Sequence, residues 1–217
     1  LYISTWLTWS QETSAALRRM GDGTNMAAML GLAAAFYYSP WLIVTILSGL
    51  ALFVLILLRL DLGLALVAFV TPFYLLPRAF NQYVFAMAEI VILMCAAAWM
   101  VQQVAEIKKQ GKPAWTLSLT AVGGRLLALD WAALAFVIVA LASLFVAEHY
   151  KYALREFRST IIEPALYYVM LRTTLRSGDA SRRALWRVID ALMLTGLLVA
   201  VVGLVQYTFN INIITAE

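Results

Sequence analysis

The chain has 217 residues, 64% of them hydrophobic and only 13% charged, with a formal net charge of +4 and a mean hydropathy of +0.85. Soluble domains are nearer half apolar and a quarter charged, so this composition excludes a soluble globular domain. It defines an all-α, polytopic transmembrane helix bundle. The basic balance needs no nucleic-acid partner, because basic residues at membrane loops set topology and attract anionic lipid.

Residues 1–23 read as an amphipathic, interfacial segment with Trp6 and Trp9 as headgroup anchors. They lack the basic start and apolar core of a signal peptide. Residues 24–217 read as the transmembrane helical domain. Its apolar runs predict about seven spans, at 24–39, 40–59, 61–77, 83–102, 127–147, 153–172 and 187–208. Taken as one helix, residues 26–59 would be about 51 Å long, well beyond a bilayer core of about 30 Å. Pro40 and the residue before it favour a break, hence a tight hairpin of two helices.

Charge agrees with the hairpin. With the N-terminus cytoplasmic, seven spans put 12 of the 16 basic residues on the inner side, and merging the first two leaves 10 at best. The positive-inside rule selects the former and puts the C-terminus outside. Trp99, Trp131 and Trp186 then fall at inner ends of spans and Trp41 at an outer end, as an aromatic belt requires. Two long connections lie inside. Gln103–Arg125 contains Gly123-Gly124, which reads as a turn because the strand and spacing of a phosphate loop are missing. Arg172–Arg187 carries five arginines and one aspartate, a surface for anionic lipid. The single cysteine, Cys95, excludes an internal disulfide and reads as a small packing residue.

The sixth span holds the most informative residues: Arg155-Glu156-Phe157-Arg158-Ser159-Thr160-Ile161-Ile162-Glu163-Pro164. Charge at membrane depth costs about 2.5–3.5 kcal/mol per group on insertion scales, so a chain that keeps it there uses it to hold something polar. Arg155, Arg158 and Ser159 share one face of a helix, at spacings i, i+3 and i+4. Glu156 and Glu163, seven apart, share another. Pro164 predicts a broken helix lining a polar, outward-open cavity. Two guanidiniums suit phosphate, as planar, permanently charged donors. The competing reading has them snorkel and pair with Glu156 and Glu163. Other polar groups fall on the same outer side. Glu89 lies about two turns inside the fourth span; Arg78, Asn81 and Gln82 form the loop before it; Gln206 and Tyr207 end the seventh. Asp130 and Asp190, near inner ends, read as local pairs or caps, and Asp61 as a helix-starting acid. His149, the single histidine, has no cysteine or acid cluster around it, so no metal site and no cofactor are expected.

The segment Leu154–Tyr168 resembles the O-antigen ligase/polymerase superfamily of bacterial envelope proteins. Pro72-Phe73-Tyr74-Leu75-Leu76-Pro77 with Ala88-Glu89-Ile90 is similar to that family's third and fourth helices, and Gly203-Leu204-Val205-Gln206-Tyr207 to a later one. The resemblance covers roughly residues 26–217 and the front half of such a protein. It implies a metal-independent glycosyltransferase, multi-pass in the bacterial inner (plasma) membrane. Such an enzyme handles an undecaprenyl-diphosphate-linked glycan at the outer face, for cell-envelope polysaccharide. It further implies that Arg155 and Arg158 bind the carrier diphosphate, with Glu163 and Glu89 shaping the site; Arg78 and Gln206 join them as candidate substrate-binding residues by their place on the outer side. The family's key histidine would lie beyond Glu217, so the chain as given is expected to be catalytically incomplete. Expected partners are membrane lipids and the polyprenyl-diphosphate-linked glycan, with other membrane subunits on the accessory-subunit reading. Two further readings stay open: an accessory subunit of a larger respiratory or photosynthetic complex without enzymatic activity, and a transporter of an anionic lipid-linked substrate.

Overall fold

The computed structural model describes residues 21–72, 78–80, 83–110, 128–174 and 179–209. They are helical almost throughout: α1 Asp22–Tyr38, α2 Leu42–Leu58, α3 Leu60–Val70, α4 Met87–Gln110, α5 Ala128–Ser143, α6 Tyr150–Phe157, α7 Glu163–Thr174 and α8 Asp179–Phe209. Strands β1 Arg78–Phe80 and β2 Tyr83–Phe85 form one antiparallel hairpin, with Arg78 opposite Phe85. A helix stands at each of the seven places where a span was expected. Three segments, Met87–Ala105, Leu129–Val146 and Arg182–Phe209, are long and apolar enough to cross a bilayer. The chain is a helical membrane protein. Most of the expected interfacial segment and residues 111–127 of the expected inner loop lie outside the described residues.

Two compact units divide the chain: Leu1–Ala98 with Gly178–Glu217, and Trp99–Ser177. In the first, α1 and α2 form the hairpin that Pro40 dictates. Ser39, the residue before proline, is extended at φ −67° and ψ 132°, and its Oγ accepts the Trp41 N–H at 3.2 Å. α1 buries Asn25, Met29, Ala33 and Tyr37 as a single stripe. Gly49 lets α2 close on it: a Cβ there would lie 2.9 Å from the Phe36 ring. Beyond Asp61 in its first turn, α3 is apolar on every side, and a helix of that kind belongs in the core. Nine of its eleven residues are buried, packed against α8, α2 and α1. Its end is tied down by α8, where Thr195 Oγ1 donates to the Phe69 carbonyl at 3.0 Å.

Two boundaries differ from the sequence expectation. α3 ends at Val70, seven residues short of the expected third span, and residues 83–85 are strand where the fourth span should begin. Tyr83-Val84-Phe85 is an aromatic and β-branched run, which favours extended backbone. The later start of α4 puts Glu89 in its first turn and not two turns inside. There the helix dipole favours an acid.

In the second unit α5 runs into a 3-10 turn at Leu144–Val146. α6, a π turn at Arg158–Ile162 and α7 then make one continuous rod. The sequence predicted a break at Pro164, and the rod is unbroken. Proline has no N–H, and its ring crowds the carbonyl four residues earlier. Widening the turn by one residue relieves that crowding, and the Glu163 N–H reaches back five residues to the Arg158 carbonyl.

Candidate functional site

The π turn decides which charges share a face. Arg155 stands in the last turn of α6 and Arg158 opens the π turn; both are exposed. Glu163 is the first residue of α7 and is half-buried. In a straight α-helix, at about 100° per residue, Glu163 would point about 140° away from Arg158 and about 80° from Arg155. The bond from Glu163 N–H to Arg158 C=O makes them neighbours one turn apart. Glu163 thereby comes to within about 50° of Arg158 and nearly in line with Arg155. Glu156, expected to share a face with Glu163, is rotated about 110° from it for the same reason. Arg155, Arg158 and Glu163 thus form one stripe of two cations and one acid. The π turn carrying it lies along α5, and Ser159 Oγ is held back on the Arg155 carbonyl at 3.3 Å.

The opposite end of the rod is fixed by a buried acid. Asp130, in the first turn of α5, is 7% exposed. Its Oδ1 accepts the Tyr168 hydroxyl at 2.6 Å and pairs with Arg172 Nη1. Asp130 is therefore a long-range clamp and not the local pair or cap read from the sequence. Thr173 is held too, its hydroxyl accepting the Trp99 indole N–H at 2.9 Å. Glu163 sits nine residues before Arg172, about 13 Å along the axis.

The remaining predicted site residues belong to the first unit, whereas the Arg155–Glu163 stripe belongs to the second. Glu89 is 8% exposed, Gln206 is half-buried on α8, and Arg78 is in β1. One residue beyond Glu89 begins a shallow groove of about 410 Å³, lined by Phe53, Ile90, Leu93, Met94 and Ala97. Its wall suits an alkyl chain and offers nothing to a charged group. Cys95 is fully buried beneath α3, as its packing reading required. The His149 ring lies edge-on to Tyr152, with centroids 6.3 Å apart.

Sequence reasoning missed a closed ring of four charges in the first unit. Arg59 Nη2 donates to Asp22 Oδ1 at 2.6 Å, and Arg59 Nε donates to Asp61 Oδ1 at 3.2 Å. Arg187 closes the ring, with Nη1 on Asp61 Oδ2 at 2.5 Å and Nη2 on Asp22 Oδ2. Each acid bridges both arginines. Asp22 and Asp61 occupy first turns of α1 and α3, where helix dipoles favour them. Arg59 is only 4% exposed, and its Nη1 is the buried side-chain nitrogen or oxygen without a partner among the described residues. Burial works against ionisation of Asp22, but hydrogen bonds from Arg59 and Arg187, and their charge, outweigh it and hold the carboxyl below 3.8. The sequence signal available was two acids at helix starts. Their partners lie up to 165 residues away, beyond any local pattern.

Among the described residues, apolar spans, arginine–aspartate clamps and the Arg155–Arg158–Glu163 stripe on a π-containing rod define a helical membrane protein. Set against models of known protein families, curated proteins and solved structures, the chain matches none.

Proposed function

We propose that the chain belongs to an O-antigen ligase/polymerase-like glycosyltransferase. It would handle an undecaprenyl-diphosphate-linked glycan at the outer face of the bacterial inner membrane. The observation that carries this reading is the stripe of Arg155, Arg158 and Glu163. Two guanidiniums one turn apart offer paired donors to a diphosphate, and the acid beside them orients one guanidinium or accepts from a sugar hydroxyl.

Depth supports the same reading. Measured outward from the Asp130–Arg172 clamp, Val146 at the end of the 3-10 turn after α5 and Arg155 on the rod are each about 25 Å away at about 1.5 Å per residue. If the clamp marks the inner boundary, Arg155 is at the outer boundary, Arg158 just below it, and Glu163 near mid-depth. Both charge clusters also join residues that the seven-span topology assigns to one side. Asp22, Arg59, Asp61 and Arg187 would all be cytoplasmic, as would Asp130 and Arg172.

Arg155→Ala and Arg158→Ala in the full-length protein should each abolish glycan transfer with membrane insertion intact. Unchanged transfer in both would overturn the reading. Stoichiometric co-purification with a larger complex, together with full function of both arginine variants, would instead establish the alternative of an accessory subunit.

A further inference from the structure

We propose that Pro164 is the positioning residue of the Arg155–Arg158–Glu163 stripe: it holds the π turn whose extra residue brings the acid into line with the two arginines. This rests on the stripe being a phosphate-binding site, and it assigns the site a part outside its charged groups. Three observations carry it. The Glu163 N–H bonds the Arg158 carbonyl, five residues back. Pro164 follows at once, unable to donate to any carbonyl of the preceding turn. The rod beyond it is anchored, because Asp130 holds both Tyr168 and Arg172.

The anchoring decides what moves. If the turn relaxes to α geometry with all its residues present, the two halves of the rod rotate by about 90° relative to each other. α7 is clamped to α5, so the rotation falls on α6 and carries Arg155 and Arg158 away from Glu163. The stripe would then split into an arginine face and a separate acid. A ligand that needs two cations and an acceptor together, such as a phosphate ester bearing hydroxyls, would lose half of its contacts.

The register can be broken and then restored. With the full chain in lipid nanodiscs, binding of undecaprenyl diphosphate is measured, with inorganic pyrophosphate as the headgroup probe. Pro164→Ala, which permits the α register, should weaken binding roughly tenfold. Adding deletion of Ile161 to that variant shortens the turn to four residues, returns Glu163 to the arginine face as an i, i+4 neighbour, and should restore binding to within about twofold. A proline that mattered only for stability would gain nothing from losing a further residue. Inserting one alanine between Ile162 and Glu163 leaves Pro164 in place and should weaken binding to a similar degree. Unchanged affinity in Pro164→Ala or in the insertion variant, or no recovery in the deletion variant, would overturn the proposal. Arg158→Ala keeps the two ideas separate. If it binds normally, the phosphate site itself is wrong. If it fails to bind while Pro164→Ala binds normally, only the role of Pro164 is wrong.

Discussion

Replacing Arg59 by methionine tests whether the charge ring holds the first unit together. The substitution keeps an apolar stem and removes a guanidinium that is 4% exposed. It deletes the bonds to Asp22 at 2.6 Å and to Asp61 at 3.2 and 3.3 Å. Removing one partner from a fully buried pair costs about 3–5 kcal/mol. That figure must be discounted here. Asp61 and Asp22 are 23% and 44% exposed, both keep Arg187, and the native arginine already carries an unpartnered buried Nη1. A loss of about 1–3 kcal/mol follows. The closed geometry makes a sharper statement about two substitutions together. With either arginine present, each acid still has a cation; with both gone, neither has. Arg59→Met with Arg187→Met should therefore cost more than the sum of the single changes, by at least about 1 kcal/mol. Equilibrium unfolding of the four proteins in mild detergent measures the cycle. Costs that add within about 0.3–0.5 kcal/mol, or an Arg59→Met protein as stable as the native one, would refute a cooperative ring.

Asp22 gives the ring an acid-sensitive member. Its carboxyl is held below 3.8, so its contribution is fully present above that value and is lost as the pH falls through the lower folded pKa. Asp22→Asn should flatten the stability profile below about pH 4, as thermal unfolding across pH would show. In the second unit, Arg172→Ala leaves Asp130 buried without its cation and should cost about 3–5 kcal/mol. Tyr168→Phe removes one hydrogen bond to that carboxylate and should cost about 1.5–3 kcal/mol. The reverse ranking in denaturant unfolding would mean that Tyr168, not Arg172, is the main tie. Gly63→Ala places a Cβ 3.0 Å from Ile56 Cγ2 and 3.1 Å from Cys95 Sγ, an overpacking cost of about 1–3 kcal/mol. Truncating Ile56 to valine in the same protein should recover part of it, and no recovery would place the strain elsewhere.

Much of the helical layout is written locally. Apolar runs placed a helix at every expected span, because a membrane-length stretch of side chains without charge has few other solutions. Pro40 divided the first run, since the restriction it imposes acts on its immediate neighbour Ser39. Burial of Cys95 followed from the small apolar residues around it. Glu89 is legible as an acid in an apolar helix, but its place in the first turn is not, because Tyr83–Phe85 is as apolar as a helix end and differs from one only in backbone preference.

The charge pairings were not legible. Asp22, Arg59, Asp61 and Arg187 come together because α3 packs against α1, α2 and α8, and such packing leaves no periodic trace in the sequence. Asp130 likewise found its partners 38 and 42 residues on, in Tyr168 and Arg172. The Arg155–Pro164 segment shows the division most clearly. Residue types alone determined that two arginines, a glutamate and a proline would meet in one span, and that proline would disturb the helix. Only the structure shows that the disturbance is a π turn, with the Glu163 N–H on the Arg158 carbonyl and the rod beyond it held by Asp130 on Tyr168 and Arg172. That turn sets the register that puts Glu163 on the face of Arg155 and Arg158, because one extra residue per turn shifts every side chain beyond it.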